Sequence, residues 1–152
     1  MAELAIVLPF LIVMVATTAE VGRFFQSYTT LSKSTRSAAR YLSNHQFNNL
    51  EKDRAKNLVV CGKLSCATGE ELVKGLSTSN VCIQTTLTPS NTVETITVSL
   101  PRTTSMTCED GGTATQLLFD PIFNIGALLN NDTFDLAYPL APSTTMRYIP
   151  AD

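Results

Sequence analysis

Apolar residues dominate the start of the chain in two successive patterns. Residues 4–19 carry no charge, and this run is bounded by Glu3 on one side and by Glu20 and Arg23 on the other. Beyond it, apolar or small residues recur every three or four positions, at Phe24, Tyr28, Leu31, Thr35, Ala38 and Leu42. That spacing is helical and leaves one wet face. We therefore predict one long helix over residues 1–43, buried all round in 1–23 and amphipathic in 24–43.

The rest of the chain, residues 44–152, predicts a head domain that mixes helix and strand. Phe47, Leu50, Ala55 and Leu58 indicate a short amphipathic helix that ends near Val60 and stops at Gly62. Alternation and β-branched residues predict strands over 81–88 and 92–100, joined in a hairpin by the turn at 89–91, and two further strands over 133–138 and 143–149. Residues 101–115 are predicted to be a loop that holds Cys108. Residues 117–129 are predicted to be a short helix that starts at Asp120–Pro121.

The fold class that follows is α+β: a long N-terminal hydrophobic helix with a small antiparallel β-sheet head. The stripe from Phe24 to Leu42 is the natural cover for the apolar face of the sheet.

Composition restricts the possible functions. Charged residues are 16%, the net charge is −2, and lysine and arginine form no cluster, so nucleic acid is not expected as a partner. The lone histidine, His45, lies in a polar linker, and we expect an exposed side chain without a nucleophile–base pair. No phosphate-binding loop is present, and Glu109–Gly111 indicates a turn rather than a calcium loop. We expect no enzyme activity, cofactor or metal; an exported enzyme or sensor is the weakest hypothesis.

The four cysteines follow the apolar run, which places them across a membrane from the cytoplasm if that run is an anchor. An oxidising compartment favours disulfides, and we prefer the local pairs Cys61–Cys66 and Cys82–Cys108, although two other pairings stay open. A four-thiolate zinc site is disfavoured because the spacing lacks paired C-x2-C knuckles.

The apolar run is only just long enough to span a bilayer. Residues 4–19 would form a helix of about 24 Å, against a hydrocarbon core of about 30 Å, and extension to Met1 and Phe25 closes the gap. A cleaved signal peptide is disfavoured, since no basic residue precedes the run and the helical pattern continues past it. A plain anchor explains the run but not Glu3, which needs a cation such as the Met1 amine of its own or a neighbouring copy, nor Pro9, which removes a helical hydrogen bond.

Glu3, Pro9 and the Glu20–Arg23 end of the apolar run, continued by Tyr28–Leu31 and Ala38–Tyr41, resemble the TadE-like pilins of tight-adherence (Tad/Flp) type IV pili. The ending Pro142–Arg147 is also similar to that family. The resemblance is dense over residues 3–42 and again over about 134–147. Precursors in this family carry a basic leader that ends in glycine. Here two residues precede Glu3, so we expect either a chain in mature form or a start that is processed differently.

The resemblance implies a structural pilin subunit of an extracellular pilus, with roles in adhesion or surface attachment. Met1, Glu3 and Pro9 would set the register of assembly, and Phe24, Tyr28, Leu31 and Leu42 would pack the helix against the head. The contacts in the filament core would come from Leu4, Ile6, Val7, Leu8, Phe10, Leu11, Ile12 and Val13.

The partners implied are other copies in a helical filament, the inner membrane before assembly with the N-terminus cytoplasmic and the head outside, an assembly platform, a secretion ATPase and a prepilin peptidase. The alternative is a membrane-anchored minor pilin or assembly adaptor that initiates the pilus rather than forming its shaft.

Overall fold

The computed structural model describes residues 2–109, 111–122 and 137–149, with side chains from residue 7 onward. Within these residues, two α-helices, α1 and α2, precede a short 3-10 helix and five strands. Their bounds are α1 Ala2–Ser43, α2 Asn49–Cys61, the 3-10 helix Thr78–Asn80, β1 Cys82–Leu87, β2 Val93–Ser99, β3 Ser105–Thr107, β4 Thr113–Thr115 and β5 Ser143–Arg147. The predicted α+β class, a long apolar N-terminal helix with a small antiparallel sheet, is confirmed.

α1 is a single helix of 42 residues that continues through Pro9. Burial changes along it: residues 7–15, predicted to be buried all round, are exposed in the single chain, because the head covers only the second half of the helix. Buried positions recur from Leu31 to Ser43, as the predicted amphipathic pattern requires. The chain turns after Ser43 and sends α2 back along α1. Ala38 and Ala39 on α1 and Ala55 and Val59 on α2 are all fully buried. Small side chains at these positions allow the two helices to approach closely.

Both ends of α2 are capped. The side chain of Asn48 accepts a hydrogen bond from the backbone N–H of Glu51 at 2.9 Å, which satisfies one of the free donors at the helix start. Gly62 closes the other end at φ 72°, and its N–H donates to the carbonyl of Leu58 at 3.1 Å. This left-handed conformation favours glycine because a Cβ would be strained there. The predicted helix and its stop are confirmed.

Within the described residues, the main sheet has three antiparallel strands in the order β1-β2-β5. Ile96 is the central residue: it pairs with Thr85 of β1 on one side and with Met146 of β5 on the other. One face of the sheet, with Ile83, Ile96 and Val98, is buried against the second half of α1. The predicted hairpin and the last strand are therefore confirmed, with ends one or two residues shorter than expected.

Two sequence predictions were wrong. Residues 101–115 are not a plain loop, because β3 and β4 form a second, two-stranded sheet around the turn at Gly111, which has φ 74°. The predicted helix does not begin at Asp120–Pro121. Instead, the carbonyl of Leu117 accepts the N–H of Leu140 at 2.8 Å, and the N–H of Phe119 donates to the carbonyl of Tyr138 at 2.9 Å. The extended backbone thus finds partners, and the side chains of Leu117 and Phe119 are buried.

Other predictions fall on residues that the structure does not describe. They are the remainder of the 117–129 helix and most of the 133–138 strand, of which Ala137 and Tyr138 are described and lie outside any strand.

Candidate assembly helix and its junction with the head

The first half of α1 presents an apolar surface that the head leaves uncovered. We call residues 4–19 the shaft; its side chains are described from Val7. Phe10 is 77% exposed and Met14 71% exposed. The hydroxyls of Thr17 and Thr18 donate to the carbonyls of Val13 and Met14, each at 2.8 Å, so their polarity is satisfied within the helix. The shaft is therefore suited to lipid or to other apolar helices, and α1 is long and apolar enough to span a membrane.

The residues that the sequence assigned to assembly fall in different places. The side chains of Met1, Glu3, Leu4 and Ile6 lie outside the described part of the structure. Pro9 is exposed on the shaft. The other positions predicted to form a filament core are also exposed in the single chain: Val7, Leu8, Phe10, Leu11, Ile12 and Val13.

The predicted stripe on the second half of α1 lies against the head. Leu31 and Leu42 are fully buried in the main core, and Phe24 is partly buried at its edge. Thr35 is also fully buried, and its hydroxyl lies 3.5 Å from that of Thr144 on β5. Tyr28 is 40% exposed, which places it at the rim of the contact.

Glu20 forms a junction between the shaft and the head that sequence reasoning missed. Its carboxylate is 4% exposed and accepts two hydrogen bonds from Arg23 Nη1, at 3.1 and 3.2 Å. It also accepts the backbone N–H of Ile122 at 3.1 Å, across 102 residues of sequence. A carboxylate this well buried needs such partners to offset its desolvation. The i, i+3 spacing of Glu20 and Arg23 was a visible signal for the ion pair, but not for the contact with Ile122.

Aromatic contacts strengthen the same junction. The ring of Phe24 meets Phe119 edge to face, with centroids 5.5 Å apart, and the guanidinium of Arg23 lies 5.8 Å from the centroid of Phe119. Segment 118–122 is thus held at the height where the uncharged shaft ends.

A polar cluster lies at the far end of α1. The hydroxyl of Tyr41 donates to the carboxylate of Glu51, which also pairs with Arg54 at 2.8 Å. The hydrogen bond to Glu51 is the main cause that raises the pKa of Tyr41 above its usual value near 10.0. The contacts of Arg54 with Tyr41 and Glu51 raise the pKa of its guanidinium. His45 is exposed and stacks on Tyr41, with ring centroids 4.0 Å apart.

All four cysteines are paired, Cys61 with Cys66 and Cys82 with Cys108, at Cα separations of 5.9 and 5.4 Å. The first pair closes the loop after α2, and the second ties β1 to the small sheet. The described residues contain no cluster of three or more metal-ligating side chains.

The fold and the surface together define a class of protein: an α+β protein with a head that packs on one half of its long helix. The other half of the helix is apolar and exposed. Residues 1–40 match the model of a family described as TadE-like protein, which confirms the resemblance seen in the sequence over this segment. The match covers 40 of the 152 residues, so the chain is similar to TadE-like proteins over its N-terminal segment. The similar ending at Pro142–Arg147 lies outside the match. No curated protein and no solved structure matches the chain.

Proposed function

We propose that the chain is a structural pilin subunit of a Tad-type pilus, and that it enters the filament through the shaft. The observation that supports this most is the division of α1. Leu31 and Leu42 are fully buried by the head, whereas the shaft residues 7–15 are exposed. Monomeric soluble proteins rarely expose such a continuous apolar surface, which is typical of membrane or protein contact sites.

The shaft serves in two environments in this proposal. Before assembly it spans the inner membrane, with the head outside. During assembly it exchanges lipid contacts for contacts with the shafts of neighbouring copies, and both environments are apolar, so the exchange is small in free energy. Glu3 sets the axial register by pairing with an amine of an adjacent copy, and Pro9 lets the helix adapt where copies crowd.

The further partners in the proposal come from the family resemblance. They are an assembly platform with its secretion ATPase, and a prepilin peptidase that acts on a precursor. We propose surface attachment through the threonine-rich outer face of the sheet. This face includes Thr86, Thr95, Thr97 and Thr145. We propose a structural role rather than a catalytic one.

The proposal is tested by a variant that removes a shaft contact without touching the head. Phe10 is 77% exposed in the single chain, so Phe10→Ala should leave folding and membrane insertion unchanged. In a filament core the same change removes a large buried side chain. We expect the variant to accumulate normally in the inner membrane and to enter sheared filaments several-fold less than the unaltered chain.

The matched control is Leu50→Ala, which truncates an apolar side chain of similar exposure, 59%, on the head. It should enter filaments normally. Equal incorporation of the Phe10 and Leu50 variants would contradict packing through the shaft.

A further inference from the structure

The uncharged run of α1 sets the height at which the helix leaves a bilayer. A helix rises 1.5 Å per residue, so the first twenty residues of α1, 2–21, cover about 30 Å, the thickness of the hydrocarbon core. Charged residues mark the ends of the stretch that suits the hydrocarbon core: Glu3 precedes the uncharged run of residues 4–19, and Glu20 and Arg23 follow it. A spanning α1 therefore emerges close to Val21, with no spare helix between the membrane and the residues that follow.

The head reaches down to this same height. Ile122 is held there by its backbone hydrogen bond to Glu20 at 3.1 Å, and Phe119 by its ring contact with Phe24. Tyr138 joins them, because its backbone carbonyl accepts the N–H of Phe119 at 2.9 Å. Two segments of the head thus lie against α1 at the point where a membrane surface would lie.

Those segments expose large apolar side chains. Ile122 is 70% exposed, Tyr138 61% and Leu118 45%. At the same height on α1, Phe25 is 60% exposed. We call these four residues the collar. An apolar cleft of about 280 Å³ opens next to it, lined by Glu20, Val21, Phe24, Phe119 and Tyr138. In water these side chains would lack the apolar contacts that stabilise buried ones.

We infer that the collar lies in the headgroup region of the bilayer whenever α1 spans the membrane, so that the head sits directly on the lipid surface. Tyrosine is enriched in this region because its ring is apolar and its hydroxyl stays wet. The exposed pair of Lys74 and Asp120, with a distance of 2.9 Å, adds charged groups beside Ile122 that remain hydrated there. The inference rests on membrane insertion of α1, which is part of the proposed function.

The chain contains no tryptophan, so a single introduced tryptophan reports its own surroundings. We would place one at a time by Ile122→Trp and Tyr138→Trp in the full chain. Each variant is reconstituted in phosphatidylcholine–phosphatidylglycerol vesicles that contain lipids brominated close to the headgroup, which quench only nearby tryptophan.

Two further variants are controls. Leu50→Trp replaces a residue that is 59% exposed near the start of α2. This helix follows the end of α1, and the end of α1 lies about 33 Å beyond Val21 along the helix axis. Met14→Trp lies on the shaft and reports insertion of α1 itself.

We expect that lipids brominated deep in their acyl chains strongly quench the tryptophan of Met14→Trp. Shallow bromine should quench Ile122→Trp and Tyr138→Trp several-fold more than Leu50→Trp. If Met14→Trp is quenched but shallow bromine quenches both collar variants no more than Leu50→Trp, the inference is overturned and the proposed function stands. An unquenched Met14→Trp would overturn both. If the tryptophan emission of the collar variants shifts to the blue as the protein concentration rises, without quenching by bromine, the collar contacts a second copy. That result would overturn the lipid contact.

Discussion

Leu31→Ala measures how firmly the stripe on α1 holds the head. Leu31 is fully buried where α1 meets the sheet and belongs to the same core as Ile83, Ile96 and Leu140. Truncation of a fully buried leucine removes its transfer free energy and leaves a cavity, which together cost about 3 kcal/mol. Leu50→Ala makes the same chemical change in a helix where the side chain is 59% exposed, and should alter stability by less than about 0.5 kcal/mol.

The assay is urea unfolding of the full chain in a mild non-ionic detergent that shields the shaft. Hydrogen exchange of peptides from β2, followed by mass spectrometry, reports the head alone. With an m-value of about 1.5 kcal/mol/M, the expected loss for Leu31→Ala moves the unfolding midpoint down by about 2 M. Equal midpoints for the Leu31 and Leu50 variants would show that the head does not depend on this contact, and would refute the division of α1.

Three other predictions follow from the head and from the start of the chain. Removal of the Cys82–Cys108 bond by paired alanines should cost about 3.5 kcal/mol and removal of the Cys61–Cys66 bond about 2 kcal/mol, because their sequence separations are 26 and 5. Chemical unfolding of both variants measures which loss of stability is larger, and a larger loss for the Cys61–Cys66 variant would contradict loop closure as the cause. The pKa of Tyr41 is higher in the folded protein than its usual value of 10.0, so the protonated hydroxyl contributes to stability. That contribution is full below pH 10.0 and is lost as the pH rises through the pKa of the folded protein. An ultraviolet titration should show that Tyr41 ionises above its usual pKa, and Glu51→Gln should lower that pKa again. An unchanged titration in that variant would exclude Glu51 as the cause. Glu3→Ala should leave the protein in the membrane but unable to assemble, and normal filaments from it would remove the register role.

Elements with a strong local signal were predictable from sequence. α1 combines an uncharged run with a stripe of helical period, and α2 ends at Gly62, the residue type that best adopts the left-handed conformation found there. β1 and β2 have six and seven residues; β1 is rich in β-branched residues and β2 has one apolar face, so the hairpin was predictable.

Elements specified by distant contacts were not predictable. β3 and β4 have only three residues each, mostly threonine and serine, and they are positioned by pairing with each other and by the bond from Cys82 to Cys108. Leu117–Phe119 follows an apolar pattern that suits a helix equally well, and the choice is made by the backbone partners near Leu140.

The junction at Glu20 was hidden for the same reason. A glutamate that follows an apolar run and precedes an arginine by three residues is normally read as the polar end of that run. Its burial depends on Ile122, which is 102 residues away in sequence. Only the folded chain brings the two together, and with them the collar around α1.

Protection of the shaft in intact filaments tests the central claim most directly. Sheared filaments are treated with a broad-specificity protease, and peptides from residues 1–40 are quantified by mass spectrometry before and after the filaments are dissociated. We predict that the chain is present and that residues 1–19 resist cleavage until dissociation, with a copy number near that of the most abundant subunit for a shaft pilin and a trace amount for an initiating one. Absence of the chain from the filaments, or immediate cleavage of residues 1–19 within them, would contradict assembly through α1.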